Sequence, residues 1–147
     1  MLRRLEQLEG KWQLTRSIMD RRNGMNGQLS GMAVFTNTAP HELTYVEEGE
    51  LHYGQQPAMT AKRQYIWRAV EAGRVQKIAV HFEDGSPFHS IALDRSMPDD
   101  DHLCDPDYYF VSYDFSHWPK WQAEWKVLGP SKDYRMISRY TPVAQAR

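Results

Sequence analysis

The chain has 147 residues, with 18 Lys and Arg against 19 Asp and Glu, and a formal charge of −1 when the histidines are neutral. A chain of this length can bury a core of its own, so we expect a single domain over residues 1–147. The balanced charge excludes a general polyphosphate binder and predicts no nucleic-acid partner. The only cysteine, Cys104, excludes an internal disulfide framework and an all-thiolate metal site within one chain.

The N-terminal residues predict a short helix. Leu2, Leu5 and Leu8 recur at helical spacing, and the pattern ends at Gly10. The charges among these residues stand where a signal peptide has its apolar core, so we expect a cytoplasmic protein. Apolar runs fall short of the roughly 20 residues that a membrane span needs, so we expect no membrane partner.

After Gly10 the apolar pattern changes to period two, which is typical of strands. Trp12, Leu14 and Arg16 alternate with polar residues, and two Asn-Gly pairs between 20 and 27 predict a hairpin turn. Gly49 indicates a turn or bulge, and 98–101 is predicted as a solvated loop. The strands are predicted at 12–18, 28–36, 41–47, 51–53, 60–69, 73–82, 87–93, 107–115, 121–128 and 133–140.

The number and spacing of these strands define the fold class. No second helix is long enough for a crossover between parallel strands, so the pattern indicates an all-β protein. We expect an antiparallel up-and-down β-barrel of about 8–10 strands with a short N-terminal helix. A barrel of this size either fills with side chains or holds one small ligand.

Two short motifs suggest how the barrel closes. Gly10-Lys11-Trp12 opens the first strand, and Arg139 lies on the last one. Together they resemble the signature of the calycins, which include the lipocalins, the fatty-acid-binding proteins and the nitrobindin-like barrels. The resemblance implies that the Arg139 cation covers the Trp12 indole and joins the first strand to the last.

The whole chain is also similar to a family of bacterial and fungal proteins known only as a domain of unknown function. That resemblance implies a calycin-like barrel and no established activity, so it assigns no catalytic residue. This chain lacks the signal peptide and disulfide of secreted lipocalins, which argues against extracellular transport. The matching stretches are Gly10-Lys-Trp12, Tyr45-Val-Glu-Glu-Gly49, Arg63-Gln-Tyr-Ile-Trp67, Phe82-Glu-Asp-Gly-Ser-Pro-Phe-His89, His102-Leu-Cys-Asp-Pro-Asp-Tyr108 and Gly129-Pro-Ser-Lys-Asp-Tyr134.

Strand alternation predicts three charged residues inside the barrel. Arg16 shares a face with Trp12, Glu47 with Tyr45, and Arg63 with aromatic residues of its own strand. Two arginines against one glutamate leave a spare cation, which an anionic ligand would pair. We therefore predict Arg16 and Arg63 as anion anchors and Glu47 as their orienting partner. The alternative is a structural network of these residues with water, or one arginine facing solvent.

Aromatic side chains are the predicted walls of this site. Tyr65, Trp67, Tyr109 and Trp125 offer flat surfaces with polar tips, and His89 adds a polar group that we expect to titrate near neutrality. The alternative for the aromatic residues is ordinary core packing. The sequence thus predicts an intracellular small-molecule binding protein that holds an anionic or aromatic ligand.

Two other functions compete with this interpretation. One is a barrel enzyme, an isomerase or hydrolase, that uses His89 or Glu47 as a general base. The other is a structural module with a filled barrel, whose exposed aromatic residues form a homodimer interface.

Histidines and the single cysteine raise the question of a cofactor. His89, His102, Cys104 and Asp107 include the residue types that bind zinc, but we expect no metal site. Cys104 is better interpreted as a small buried hydrophobe, with His102 and Asp107 holding a loop. Haem bound by His89 or His81 is an analogy with nitrobindin-like barrels alone, so the cofactor stays unknown.

Overall fold

The computed structural model describes residues 1–72 and 75–143, and these form ten antiparallel strands. Consecutive strands pair in an up-and-down order, which runs β6-β5-β4-β3-β2-β1-β10-β9-β8-β7 and confirms the predicted barrel. The described residues contain no helix with the length and apolar character needed to cross a bilayer. The strands are β1 (Gly10–Asp20), β2 (Met25–Ala39), β3 (Glu42–Tyr53), β4 (Met59–Ala72), β5 (Val75–Phe82), β6 (Pro87–Ala92), β7 (Asp99–Cys104), β8 (Asp107–Asp114), β9 (Trp121–Gly129) and β10 (Lys132–Pro142).

The first and last strands meet, but without the expected contact between Arg139 and Trp12. β1 pairs with β10 along its length, and Arg139 is the partner of Thr15 on the exposed outer face. Trp12 is three residues from Thr15, so alternation turns its side chain into the barrel. There its indole packs against Trp118 and Trp121, with ring centroids 5.6 and 5.9 Å away. Other aromatic rings therefore cover Trp12 in place of the cation.

Gly10 marks the point where the N-terminal segment turns into β1. Its φ of 124° is a conformation that glycine adopts without strain. Before it, the predicted helix is a single 3₁₀ turn, Leu5–Leu8, whose buried leucines plug one end of the barrel together with Leu2. The backbone N–H of Leu5 donates to the Gln76 side chain at 2.7 Å, which ties the plug to β5.

The barrel is nearly but not fully closed, because β6 and β7 meet at a seam. Within residues 1–72 and 75–143, no ladder of strand hydrogen bonds joins these two edge strands. A side chain bridges them instead, because the Asp100 carboxylate accepts a bond of 2.7 Å from the backbone N–H of Ser90.

The prediction of a loop at 98–101 was wrong, because Asp99 begins β7 and pairs with Ser112 of β8. An edge strand can keep polar side chains in solvent, so its amino-acid composition is similar to that of a surface loop.

Two glycines let the sheet curl between β2 and β3. Gly31 and Gly49 are partners across the strands, and a Cβ on Gly31 would collide with the carbonyl oxygen of Glu48. The turn predicted near Gly49 is therefore a bend within the continuous strand β3. The strand predicted from Gly73 is observed from Val75, since Gly73 lies outside the described residues.

Candidate functional site

A cavity of about 270 Å³ lies within the barrel at the end opposite the Leu5–Leu8 plug. The exposed part of its wall includes Arg63 and Cys104, which mark the mouth. Since the interior holds a cavity, it is not filled by its own side chains. All eight residues predicted as ligand contacts line this one space, namely Arg16, Glu47, Arg63, Tyr65, Trp67, His89, Tyr109 and Trp125.

A buried ion pair forms part of the cavity wall. The Arg16 guanidinium donates two hydrogen bonds to the Glu47 carboxylate, of 2.6 and 2.9 Å, and a third of 2.7 Å to the Ser138 hydroxyl. Burial acts to raise the pKa of Glu47, but the bonds from Arg16 outweigh it and hold the pKa below its ordinary value. Arg16 is thus committed to Glu47 instead of being a free anchor for an anion, as the structural-network alternative predicts.

Tyrosine hydroxyls complete this network. Tyr45 donates to Glu47 at 2.8 Å, and its oxygen lies 2.9 Å from the hydroxyl of Tyr140. Ser138 and Tyr140 could not be predicted from the sequence as members of this network, because their contacts depend on the pairing of β1 with β10. Tyr45 carries a usable signal, since it is two residues from Glu47 on the same strand and therefore shares its face.

Arg63 is the cation left over at the mouth. It is the cross-strand partner of Glu47, yet no carboxylate among the described residues lies within 4 Å of its guanidinium. Arg16 and Glu47 cancel each other's charge. Among the described residues that line the cavity, Arg63 therefore supplies the net positive charge. Its side chain is exposed and accessible to a ligand.

Stacked aromatic rings form one side of the cavity. Phe88 lies between Phe82 and Trp125, with ring centroids 4.4 and 5.0 Å away and interplanar angles of 21° and 18°. Tyr65 also stacks on Phe88, at 5.8 Å. Such a surface favours a planar apolar ligand.

A β-bulge places two consecutive residues of β6 inside the barrel. Val80 pairs with His89 but the next residue, His81, pairs with Pro87, which leaves Phe88 as the extra residue. Bulges redirect a side chain in this way. Phe88 and His89 are both buried as a result, and strand alternation alone could not have found Phe88.

His89 is neutral in this setting. Burial lowers its pKa to about 3, with a smaller contribution from His102, so the expectation that it titrates near neutrality was wrong. Its Nε2 atom lies 2.7 Å from the Tyr113 hydroxyl.

Two buried polar atoms of the lining lack a partner. Among the described residues, neither Nδ1 of His89 nor Nε1 of Trp67 makes a hydrogen bond. A third such atom, Nε1 of Trp121, belongs to a residue outside the cavity lining.

The histidines and the cysteine are not gathered into a metal site in the described part of the chain. No three His, Cys, Asp or Glu side chains there are placed to hold an ion. Cys104 is exposed at the mouth instead of being a buried hydrophobe. His81 directs Nδ1 toward the Gly85 carbonyl, 3.1 Å away, and does not line the cavity.

The outer face of β7, β8 and β9 carries exposed apolar residues. Leu103, Tyr108 and Leu128 are cross-strand partners in one row, and Phe110 stacks on Tyr108 at 5.7 Å. The homodimer interface suggested by the sequence stays a prediction. This exposed apolar face is where such an interface would lie.

Comparison with known proteins identifies a family and a fold. Residues 8–142 match a family of unknown function, DUF6314. No curated protein matches the chain.

Among solved structures, the S-type phycobiliprotein lyase CPES from Guillardia theta is similar to this chain. It superposes with a TM-score of 0.68 at 10% identity, over 96% of this chain and 91% of the lyase chain. Two redesigned β-barrels also match over 95% or more of both chains. They are b11L5F_LGL, with a TM-score of 0.46 at 11% identity, and mFAP1 bound to DFHBI, with a TM-score of 0.44 at 12% identity. The likeness to the lyase shows a shared barrel fold.

Proposed function

The chain belongs to the DUF6314 family, and from its cavity we propose that it binds one small, planar aromatic anion inside the barrel. The observation that carries this proposal is the uncompensated cation of Arg63 beside stacked aromatic rings. The rings supply apolar contact with the ligand, and the guanidinium supplies charged hydrogen bonds to its acidic group.

The size of the cavity limits the ligand. Sites for drug-sized molecules have volumes of about 300–1,000 Å³. The present cavity, at about 270 Å³, lies just below that range. It therefore suits a ligand of one or two fused rings.

The protonation states of the two candidate bases argue against the enzyme alternative. Glu47 is held ionised by Arg16, and burial keeps His89 neutral with a pKa of about 3. A general base works best with a pKa near the operating pH. Neither residue meets that requirement, so binding without chemistry is the better supported function. We also propose that binding occurs in the cytoplasm, since the exposed thiol of Cys104 suits a reducing compartment.

The experiment compares two bicyclic probes that differ only in the presence of a carboxylate group, 2H-chromene-6-carboxylate and 2H-chromene. Isothermal titration calorimetry measures both affinities in the wild type and in Arg63→Met. We expect the carboxylate to bind the wild type about three- to tenfold more tightly than the neutral probe. Arg63→Met should remove that advantage and leave the free energy of unfolding nearly unchanged.

Lys62→Met is the matched control, because Lys62 is also exposed on β4 but does not line the cavity. It removes the same charge and should preserve the preference for the carboxylate. An equal preference in the wild type and in Arg63→Met would reject Arg63 as the anchor.

A further inference from the structure

The unpartnered nitrogens of Trp67 and His89 indicate a second recognition point deep in the cavity. Both side chains are more than nine-tenths buried, and both line the cavity. An indole nitrogen can only donate, so Nε1 of Trp67 requires an acceptor. The role of Nδ1 of His89 depends on where the neutral ring carries its proton.

The contact between Nε2 of His89 and the Tyr113 hydroxyl indicates where that proton lies. Among the described residues, Nε2 of His89 is the one hydrogen-bond partner of the Tyr113 hydroxyl. If the hydroxyl accepted, its own buried proton and Nδ1 would both be left without a partner. If the hydroxyl donates, only the N–H at Nδ1 remains unpaired. Buried polar groups are rarely left unpaired, so the arrangement with fewer such groups is favoured. Nε2 is therefore the acceptor, and Nδ1 carries the proton.

The two N–H donors lie in one cross-strand row. Trp67 on β4 is the partner of Val80 on β5, and Val80 is the partner of His89 on β6. Arg63 is four residues from Trp67 along the same strand, about 13 Å at the usual rise. The donors thus occupy the deep end of the cavity, and the cation occupies its mouth.

We propose that the ligand carries a neutral carbonyl oxygen at its buried end, which accepts hydrogen bonds from Nδ1–H of His89 and Nε1–H of Trp67. The orientation of the ligand rests on the proposed function, because it places the acidic group at Arg63. A second anion is unsuited to the deep end, since the charge of Arg16 is already cancelled by Glu47 and a buried unpaired charge is costly.

The test uses coumarin and 2H-chromene, which share a bicycle and differ in that the lactone carbonyl of coumarin is a methylene in chromene. By calorimetry, we expect coumarin to bind the wild type about three- to tenfold more tightly. His89→Phe and Trp67→Phe should each reduce this ratio, and thermal unfolding verifies that each variant folds. Trp125→Phe is the control, because it removes stacking surface and should weaken both probes equally.

Equal affinities for the two probes in the wild type would overturn the proposal, and so would a ratio that neither variant changes. If the wild type shows no preference for coumarin over 2H-chromene but still prefers the carboxylate probe, the carbonyl site is rejected and the role of Arg63 stands. Loss of the carboxylate preference alone rejects the proposed anion site but not the carbonyl site.

A second measurement needs no probe. Proton–nitrogen correlation spectra of the free, ¹⁵N-labelled protein report which ring nitrogen of His89 carries the proton. We expect the proton on Nδ1 and an unprotonated Nε2. The opposite tautomer would overturn the proposal, because Nδ1 would then be an acceptor.

Discussion

Arg16 and Glu47 form a two-point ion pair between strands that are not neighbours. The contacts of 2.6 and 2.9 Å join β1 to β3 across β2, which lies between them in the sheet. β2 carries Gly31 and Ala33 in the stretch between Arg16 and Glu47. The pair therefore braces the inside of the barrel wall.

Removing one partner of this pair should be costly. Glu47→Gln leaves the Arg16 charge buried without a counterion, and we expect a loss of about 3–5 kcal/mol in the free energy of unfolding. Chemical denaturation measures the change. Glu48→Gln is the control, since Glu48 is exposed, and it should change stability by less than about 0.5 kcal/mol.

Replacing both partners should be milder than replacing one. Apolar residues of similar volume often substitute for a buried pair with little loss, so Arg16→Met combined with Glu47→Leu should be more stable than Glu47→Gln. A double variant as unstable as the sum of its single changes would contradict direct coupling between the two side chains.

The dependence of stability on pH should reveal the buried neutral His89. Its pKa is about 3 in the folded protein and returns to its ordinary value of 6.5 on unfolding. Below pH 6.5 the unfolded chain therefore binds a proton that the folded protein does not, so stability falls as the pH falls. The slope contributed by this residue is at most about 1.4 kcal/mol per pH unit.

Denaturation curves between pH 7 and 4.5 provide the measurement. His89→Phe should flatten the dependence on pH over this window, whatever its effect on stability at pH 7. His117→Gln, which replaces an exposed histidine, should keep the wild-type slope. Identical slopes for the wild type and His89→Phe would show that His89 gains its proton in both states.

Modification of Cys104 should block the cavity mouth. The thiol is exposed and lines the cavity, so a maleimide adduct would occupy the opening. We expect N-ethylmaleimide to reduce the affinity for coumarin-6-carboxylate by at least about tenfold. Cys104→Ser should bind this probe normally and be unaffected by the reagent. Unchanged affinity after complete labelling, verified by mass, would place the ligand's route elsewhere.

The bridge between Asp100 and Ser90 should control local opening of the seam. Asp100→Ala removes the acceptor of the Ser90 N–H, and hydrogen exchange at that amide should accelerate about tenfold. The free energy of unfolding should fall by about 1 kcal/mol. Asp101→Ala, which changes an exposed neighbour, should leave the exchange of Ser90 as it is.

Strand alternation was sufficient to predict the fold and several of the residues that line the cavity. It placed Arg16, Glu47 and Arg63 on inward faces because a side chain's face depends only on its position along the strand. Which inward groups bond to each other depends on the pairing of strands. The commitment of Arg16 to Ser138 and Glu47 therefore emerged only from the structure.

Local irregularities and solvent exposure explain the other differences. The bulge at Phe88 breaks the period of two, so alternation could not place Phe88 and His89 on the same side. The motif predicted that Arg139 covers the Trp12 indole, although its position on β10 directs its side chain outward. The acidic segment of β7 lacks the apolar residues by which a buried strand is recognised.

The acidic segment has a consequence for how molecules of this protein meet. The unpaired backbone of β7 is a template on which a strand from another molecule could grow. Asp99 and Asp101 are exposed at this edge, so an identical molecule approaching edge to edge would bring its own two carboxylates against them. Repulsion between the carboxylates of the two molecules opposes strand pairing at this edge and therefore fibril growth. Neutralising these aspartates would remove that protection.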